Sequence, residues 1–553
     1  MEFFQTLQHK EERFFSYFSM EIALVENMHT YSGGLGVLAG DTIKSFADKH
    51  IPVIAITLLN EKGYFKQKID ENGNQIESDY EWKKEDFLMQ LPNIVEVKIE
   101  NRTVKVKAWE YRVVGISGFE VPVYFLDTNI DGNSEYDRTL TSHLYGGDHY
   151  YRLCQEIVLG IGGLKFIQSR GYNNLQRYHM NEGHAAFLTL ELLKQFNGDV
   201  SLVRKKCVFT THTPVAAGHD KFSRDEILKT LGSVPEEYFN NGELSTTELA
   251  LKLSHYVNGV AKKHQEVSSA MFPNYSIDWI TNGVHSLTWT CDSFKKLFDK
   301  KIPAWRLDPF AIRYSIQIPL TEIWNAHMEA KIELVKKINE MTKADFDYDT
   351  FTIGFARRAT GYKRMDLLFY DINRLMTISK RIGKIQLVFA GKAHVHDYQG
   401  KELIKKIVEL KNKLGENIKI VFLENYDMGL AGLITSGVDL WLNTPKRPLE
   451  ASGTSGMKAC HNGVPSLSTL DGWWVEGHIE NFTGWSIGAL DISDDDALDA
   501  NDLYFKLEKI IMPMFYNNKD EYVKIMRYAI AFNASFFNTS RMVAQYVTNA
   551  YLA

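Results

Sequence analysis

The chain has 553 residues, a formal net charge of −6, 44% hydrophobic residues and 24% charged residues. That length exceeds what one hydrophobic core serves, so at least two domains are expected. The small charge, with no long run of one sign, gives nucleic-acid binding no electrostatic support.

Cys154, Cys207, Cys291 and Cys460 lie far apart without a CxxC pair, which argues against structural zinc and a disulfide framework and fits a reducing cytoplasm. No apolar run approaches the length of a membrane span. The charge-broken N-terminus is not a signal-peptide core.

From the N-terminus, residues 13–19, 52–59, 121–126 and 206–211 read as strands rich in β-branched and aromatic residues. A helical pattern runs over 152–168. Between 61 and 114 the pattern changes to short alternating pieces with turn residues, an antiparallel insertion. Residues 320–341 form one long helix connecting the halves. Beyond it, 351–355, 385–390, 418–423, 438–442 and 466–470 are short apolar strands, and 402–414 has an apolar helical face with lysines opposite. The stretch 525–552 is helical and aromatic-rich. Strands alternating with helices imply α/β architecture: two doubly wound, Rossmann-like domains facing across a deep cleft, with ligands at the C-terminal ends of the strands. The expected division is an N-terminal α/β domain over 1–285 with a β insertion, a C-terminal domain over 286–535, and a helix over 536–553 packing back on the first domain.

Most of the unusual residues fall after strands. Residues 31–41, YSGGLGVLAGD, place Gly33, Gly34 and Gly36 before a helix, where backbone can approach an anion; a tight turn without a ligand accounts for it equally. HMNEGH at 179–184 and TTHTPVAAGHD at 210–220 have histidine spacings that do not suit helical metal ligation, so no metal is expected. His212 reads as a group orienting a hydroxyl-rich ligand or as a satisfied buried histidine. Asn282, in DWITNGVHSLTW, offers an amide to a sugar hydroxyl or simply makes an Asn-Gly turn. FARRATGYKR at 355–364 crowds Arg357, Arg358, Lys363 and Arg364 past a strand end, and Arg358 with Lys363 could neutralise a phosphate dianion. TLDGWWVEG places Asp471 and Glu476 beside two tryptophans, as wall or as chemistry. The stretch 450–463, EASGTSGMKACHNG, breaks a strand into a small-residue turn and opens a helix carrying Lys458. An amine held beside free helix N–H groups tends to a lowered pKa and becomes nucleophilic, which suits attachment of an aldehyde cofactor with a phosphate. A surface lysine after a flexible turn is the alternative.

In order and over nearly the whole chain, these stretches resemble the α-glucan (glycogen, starch, maltodextrin) phosphorylases. The resemblance is strongest in EASGTSGMK, and it extends to GGLG, the THT segment, the TNG turn, the arginine-rich turn ending in Tyr-Lys-Arg, and AGKA at 390–393. It implies pyridoxal 5'-phosphate held as a Schiff base by Lys458, with the cofactor phosphate on Thr454 and Ser455 near Arg357, and Trp289 packed beside it. Arg358 and Lys363 would hold inorganic phosphate with the backbone at Gly34 and Leu35. His212, Asn282, Tyr362, Glu450, Ser452 and Gly453 would meet the glucosyl unit. Lys458, Arg358, Lys363 and His212 are the expected catalytic set, and no metal takes part. The implied reaction is phosphorolysis of terminal α-1,4-linked glucosyl units by inorganic phosphate, releasing α-D-glucose 1-phosphate with retention, in a cytoplasmic homodimer. The family's chemistry rests on two neighbouring phosphates rather than a carboxylate pair.

Longer, allosterically controlled members carry Lys at the place of Arg357 and Arg at the place of Asp427, so the cofactor-phosphate contact differs in this chain. Regulatory N-terminal helices are expected to be absent, and Asp148 is the candidate in the gating-loop region 144–153. A nucleotide-sugar glucan synthase of the same architecture also has GGLG, but with Lys before the glycines and no attachment lysine; here Tyr31-Ser32 and Lys458 stand instead. A non-catalytic glucan-binding protein would be expected to have lost Lys458 or the Arg358/Lys363 pair.

Overall fold

The computed structural model describes residues 12–411, 413–414, 416–488 and 495–553. The chain forms two compact units: Met1–Phe65 with Asp79–Thr281 and Met542–Ala553, and Lys66–Ser78 with Asn282–Arg541. Both are mixed α/β with parallel sheets.

The first unit is built on a ten-stranded sheet. Its strands are β1 (Phe15–Ser19), β2 (Val53–Leu58), β3 (Arg102–Val114), β4 (Glu120–Asp127), β5 (Arg177–Asn181), β6 (Cys207–Thr210), β7 (Tyr256–Gly259) and β8 (Asp278–Trp279), with Met89–Gln90 and Val95–Ile99 paired on β3. The order is β8-β7-β6-β5-β1-β2-β4-β3, parallel throughout except that β3 runs antiparallel to β4. The order reverses direction at β1, between β2 and β5, which is where an open α/β sheet leaves a crevice beyond its strand ends. Both faces are buried, and the period of two assigns them. Phe15, Tyr17, Val53 and Ala55 pack on one face, and Phe18, Ile54, Ile56 and Leu58 on the other.

The 152–168 helix is broken in its middle. His149–Ile157 passes through a π turn at Val158–Gly162 into Gly163–Ser169. A Cβ on Gly163 would lie 2.8 Å from Phe18 Cε1, and one on Gly160 2.7 Å from Leu188 N, so Gly163 lets the segment lie close on the sheet and Gly160 lets it approach the start of the helix Phe187–Gln195. The C-terminal stretch is likewise several pieces, Lys519–Tyr528, Ala529–Ala534, Thr539–Tyr546 and Val547–Tyr551. Its end joins the first unit through His179 on β5. Tyr551 OH donates to His179 Nδ1 (2.8 Å), and His179 Nε2–H donates to Thr210 Oγ1 (2.8 Å).

The second unit carries six parallel strands: β9 (Phe351–Ala356), β10 (Ile385–Ala390), β11 (Ile418–Leu423), β12 (Leu440–Asn443), β13 (Ser466–Thr469) and β14 (Gly484–Ile487). Their order, β11-β10-β9-β12-β13-β14, reverses at β9. Here too alternate residues divide between two faces: Phe351, Ile353 and Phe355 on one, Ala356, Val388 and Val421 on the other. The long helix α1 spans Leu320–Thr342, α2 Tyr398–Leu410, α3 Met428–Gly437 and α4 Ser455–Cys460. The 61–114 insertion is antiparallel, but it divides between the units. Its first hairpin, Lys66–Ile69 with Gln75–Ser78, belongs to the second unit and the remainder to the first.

Candidate active site

At the β9/β12 reversal of the second unit, the chain places its charges. Arg357 follows β9, and its Nη1 donates to Asn443 Oδ1 at the end of β12 (2.9 Å). Its Nη2 and the Lys363 ammonium both pair with Glu450 Oε2. Asp471 in turn accepts from Glu450 N (2.8 Å) and Gly472 N (2.9 Å) and so fixes the loop that presents Glu450. Burial opposes ionisation of Glu450, yet Arg357 and then Lys363 outweigh it and hold its carboxyl down at about 2. Burial, then the neighbouring Arg357, pushes the Lys363 amine down to about 7. Burial, with the Glu450 charge close by, raises Asp471 to about 7.

Tyr362 lies under the Lys363 ammonium, 4.4 Å from ring centre to Nζ. Burial raises its hydroxyl to about 12. Arg358 is exposed. Arg364, the fourth cation of the turn, is turned to structure: it bonds Asp499 (2.7 Å), Asp496 (2.8 Å) and the Thr444 carbonyl (2.8 Å).

Eight residues on from Glu450, Lys458 sits on the six-residue helix α4, buried, with Nζ 3.7 Å from the centre of the Trp289 ring. Two residues absent from the sequence-derived set tie Trp289 to that helix. Asn462 Nδ2 donates to the carbonyls of Trp289 (2.8 Å) and Lys458 (3.0 Å), and its Oδ1 accepts from Cys291 N (2.7 Å). His461 donates through Nδ1 to the Met457 carbonyl (2.7 Å) and accepts at Nε2 from Ser286 Oγ (3.0 Å). Thr454 precedes α4 with no side-chain cap, and Ser455 Oγ accepts from Trp441 Nε1 (3.1 Å). Gly453, at φ +75°, turns the chain between Ser452 and Thr454.

Three buried polar atoms here have no protein partner: Arg357 Nε, Ser452 Oγ and Asn282 Oδ1. These atoms keep hydrogen-bonding capacity that a polar ligand supplying oxygens and hydroxyls would use. Asn282 lies three residues beyond the end of β8, not at a strand end. An aldehyde-bearing phosphate fits this set: a buried lysine against an aromatic face for the ring, and an unpaired guanidinium N–H for the phosphate.

The first unit gathers a second set at its own β1/β5 reversal. The glycine turn opens the helix Gly34–Asp48. A Cβ at Gly33 or Gly34 would meet nothing within 4 Å, so this side of the turn is open, and Gly34 is exposed beside half-buried Leu35. The turn's N–H groups at Ser32 and Gly33 are taken by the Glu21 carboxylate, which also accepts from Tyr145 OH (2.9 Å). Glu21 follows β1 and was not among the sequence-derived candidates.

His212 sits after β6. Its Nε2–H donates to Asn181 Oδ1 (2.6 Å), which leaves Nδ1 as an acceptor, and its backbone N–H donates to Glu182 Oε2 (2.7 Å). Burial pushes His212 down to about 3, so the ring is neutral. Glu182, also missed, is buried at φ +74°, backbone strain of the sort functional sites hold, and burial raises its carboxyl. The candidate Asp148 caps the helix His149–Ile157 by accepting from Tyr151 N (2.8 Å). Glu156, His184 and Asp220 bring ligand atoms within 4.8 Å of one another, and the Arg152 guanidinium, 3.2 Å from Glu156 and 3.2 Å from Asp220, supplies positive charge to that cluster.

Residues 180–484 match the carbohydrate phosphorylase family. The chain is 39% identical to the maltodextrin phosphorylase of Thermococcus litoralis, over 99% of this chain and 72% of that one. It is 34% identical to the glycogen phosphorylase of Aquifex aeolicus, over 97% and 85%, and 33% identical to that of Mycobacterium tuberculosis, over 97% and 70%. The chain belongs to the carbohydrate phosphorylase family. Within this carbohydrate phosphorylase, Asp427 has a structural role. It caps α3 by accepting from Leu430 N (2.9 Å), a role that suits an acidic residue at a helix N-terminus.

Proposed function

We propose that the protein is an α-glucan phosphorylase that cleaves terminal α-1,4-linked glucosyl units of glycogen, starch or maltodextrin with inorganic phosphate, releasing α-D-glucose 1-phosphate with retention. Family membership over nearly the whole chain supports this reading. The observation that carries it is the buried Lys458 against Trp289, on the same stretch as Glu450 and its cations. The type B glycosyltransferase architecture is part of the proposal, supported by the strand order within each unit.

Lys458 is the proposed attachment point for pyridoxal 5'-phosphate, with Trp289 along its ring and Thr454, Ser455 and Arg357 at its phosphate. Bound there, the cofactor supplies a second phosphate with acid–base capacity near neutral pH. Arg358 and Lys363 hold the substrate phosphate, the arginine as a fork and the lysine as a point charge. An arriving dianion favours the charged form of Lys363, whose amine otherwise titrates near neutrality. Glu450, kept anionic by its two cations, accepts from sugar hydroxyls, as do Asn282 Oδ1 and His212 Nδ1. Ser452 supplies a hydroxyl and Gly453 lets the backbone approach. The cations stabilise charge developing between phosphate and the glucosyl carbon. Gly34 and Leu35 are proposed to meet the phosphate from the glycine turn, Tyr362 to line the site, and the protein to act as a cytoplasmic homodimer.

The test is direct. Purified protein should show a pyridoxal-phosphate absorption band that borohydride fixes to Lys458, and should release glucose 1-phosphate from maltodextrin plus phosphate. No band, or activity that needs a nucleotide sugar, would sink the proposal.

A further inference from the structure

The hairpin Lys66–Ile69/Gln75–Ser78 carries two buried glutamines, Gln67 and Gln75, at 2% and 7% exposure. Burying a long amide costs rotamer entropy and desolvation unless its hydrogen bonds are all remade. Here they are remade on one small target. Gln67 Nε2 donates to the Gly391 carbonyl (2.8 Å) and to Gln75 Oε1 (2.8 Å). Gln67 Oε1 accepts from Asn425 N (2.9 Å), and Gln67 N donates to Asn425 Oδ1 (3.2 Å). Gln75 Nε2 donates to the Ala393 carbonyl (2.9 Å) and to Glu77 Oε1 (2.7 Å), while its Oε1 accepts from Ala393 N (3.0 Å). The two amides thus clamp the backbone of loop 391–393, just past β10, and the turn past β11.

That loop is the floor on which the arginine turn rests. Arg357 N donates to the Ala390 carbonyl (3.2 Å), and Ala359 N donates to the Lys392 carbonyl (3.0 Å), so Arg358 is strung between the end of β10 and the clamped loop. The fit is close: Gly391 has φ +144°, and a Cβ there would lie 1.9 Å from the Arg357 carbonyl oxygen. The 357–359 backbone cannot shift without the loop. We infer that Gln67 and Gln75 are positioning residues for phosphate binding: by locking loop 391–393 they set the place of Arg357 and Arg358, an inference that rests on the phosphorolysis reading. The alternative is that the hairpin merely fastens itself to the second unit. The hairpin has further fastenings, Ile69 N to Glu424 Oε1 at 3.0 Å and Lys401 Nζ to Glu77 Oε1 at 2.6 Å; the second makes no bond to the loop backbone and provides the control.

The test uses the full chain with its cofactor. Variants Gln67→Ala, Gln75→Ala and Lys401→Ala are compared by calorimetric titration with inorganic phosphate, and by the KM values for phosphate and for maltodextrin. A displacement of the arginine turn by a fraction of an ångström should weaken phosphate binding about tenfold. The Gln variants should show this in both the Kd and the KM for phosphate while the KM for maltodextrin holds, and Lys401→Ala should leave all three unchanged. Gln67→Met and Gln75→Met keep the side-chain length and lose the hydrogen bonds, so they carry the same readings if the alanine variants do not fold. Unchanged phosphate binding in the Gln variants, or equal weakening for phosphate and maltodextrin, overturns the inference. A wild-type protein that binds phosphate without phosphorolysis sinks the functional reading alone, because the titration still reports on the clamp. Failure of the wild type to bind phosphate overturns both.

Discussion

Lys363 shares a buried space with Arg357 and Glu450, and burial first, then the Arg357 charge, makes its amine titrate near neutrality. Its amine loses its proton as pH rises through about 7, so phosphate affinity should fall above that pH on the lysine's account. Phosphate's own titration overlaps, which makes a comparison the right measurement. Lys363→Arg keeps its charge at every working pH, so the ratio of wild-type to variant phosphate Kd should climb from pH 6 to 9 by about tenfold or more. A flat ratio would place the titration elsewhere.

Asn462 makes a second case at this scale. Asn462→Ala strands the buried carbonyl and amide groups it now joins, at about 1–3 kcal/mol, and frees Trp289 from α4. With the proposed cofactor bound, the variant should lose pyridoxal phosphate on dialysis faster than wild type, read as decay of the cofactor band. Lys458, Glu450 and the arginine turn were legible in the sequence because their chemistry is crowded into short local stretches. Glu21 was not, and Glu182 and Asn462, although inside the quoted stretches 179–184 and 450–463, carried no signal of their own until their distant partners were known.

At the scale of elements, short apolar, β-branched runs buried on both faces made β1, β2, β4, β6 and β9 to β13 legible to within about two residues, whereas β3, β5, β7 and β8 had no such range. β14 escaped, because Gly-Trp-Ser-Ile is short and half of it is glycine and serine. The 152–168 helix was legible as helix but not in its π turn at Val158–Gly162, because the close approach of Leu188 to Gly160 comes from residues distant in the chain. Asp427 belongs to this scale as well. Asp427→Ala should cost about 1 kcal/mol by uncapping α3, read in equilibrium denaturation, while Asp427→Asn should recover most of it.

Over the whole molecule, histidines that fold buried and neutral set an acid limit. Burial holds His179 at about 3, and His264 and His461 at about 4, each fully enclosed. Between these values and the ordinary 6.5 the unfolded chain binds protons that the folded chain does not, so stability rises with pH there and is lost as pH falls. The three together contribute a slope of about 4 kcal/mol per pH unit near pH 5. Thermal unfolding should therefore drop steeply between pH 6.5 and 4.5, and His179→Gln, which keeps a hydrogen-bonding side chain at that place, should soften the drop. A melting temperature that stays level over that range would contradict this.

The sequence alone determined the α/β class, many of the strands, and the lysine, arginine and glycine stretches to which the proposed function assigns the chemistry, because each depends on residues near in the chain. Only the tertiary structure decided where the 61–114 insertion divides and which charges pair. The hairpin at Lys66–Ser78 joins the second unit because its glutamines find loop 391–393, some 320 residues away, and no local pattern encodes a partner at that distance. Arg364 looks like its neighbours in sequence; it leaves the site because Asp496 and Asp499 stand on its side of the turn.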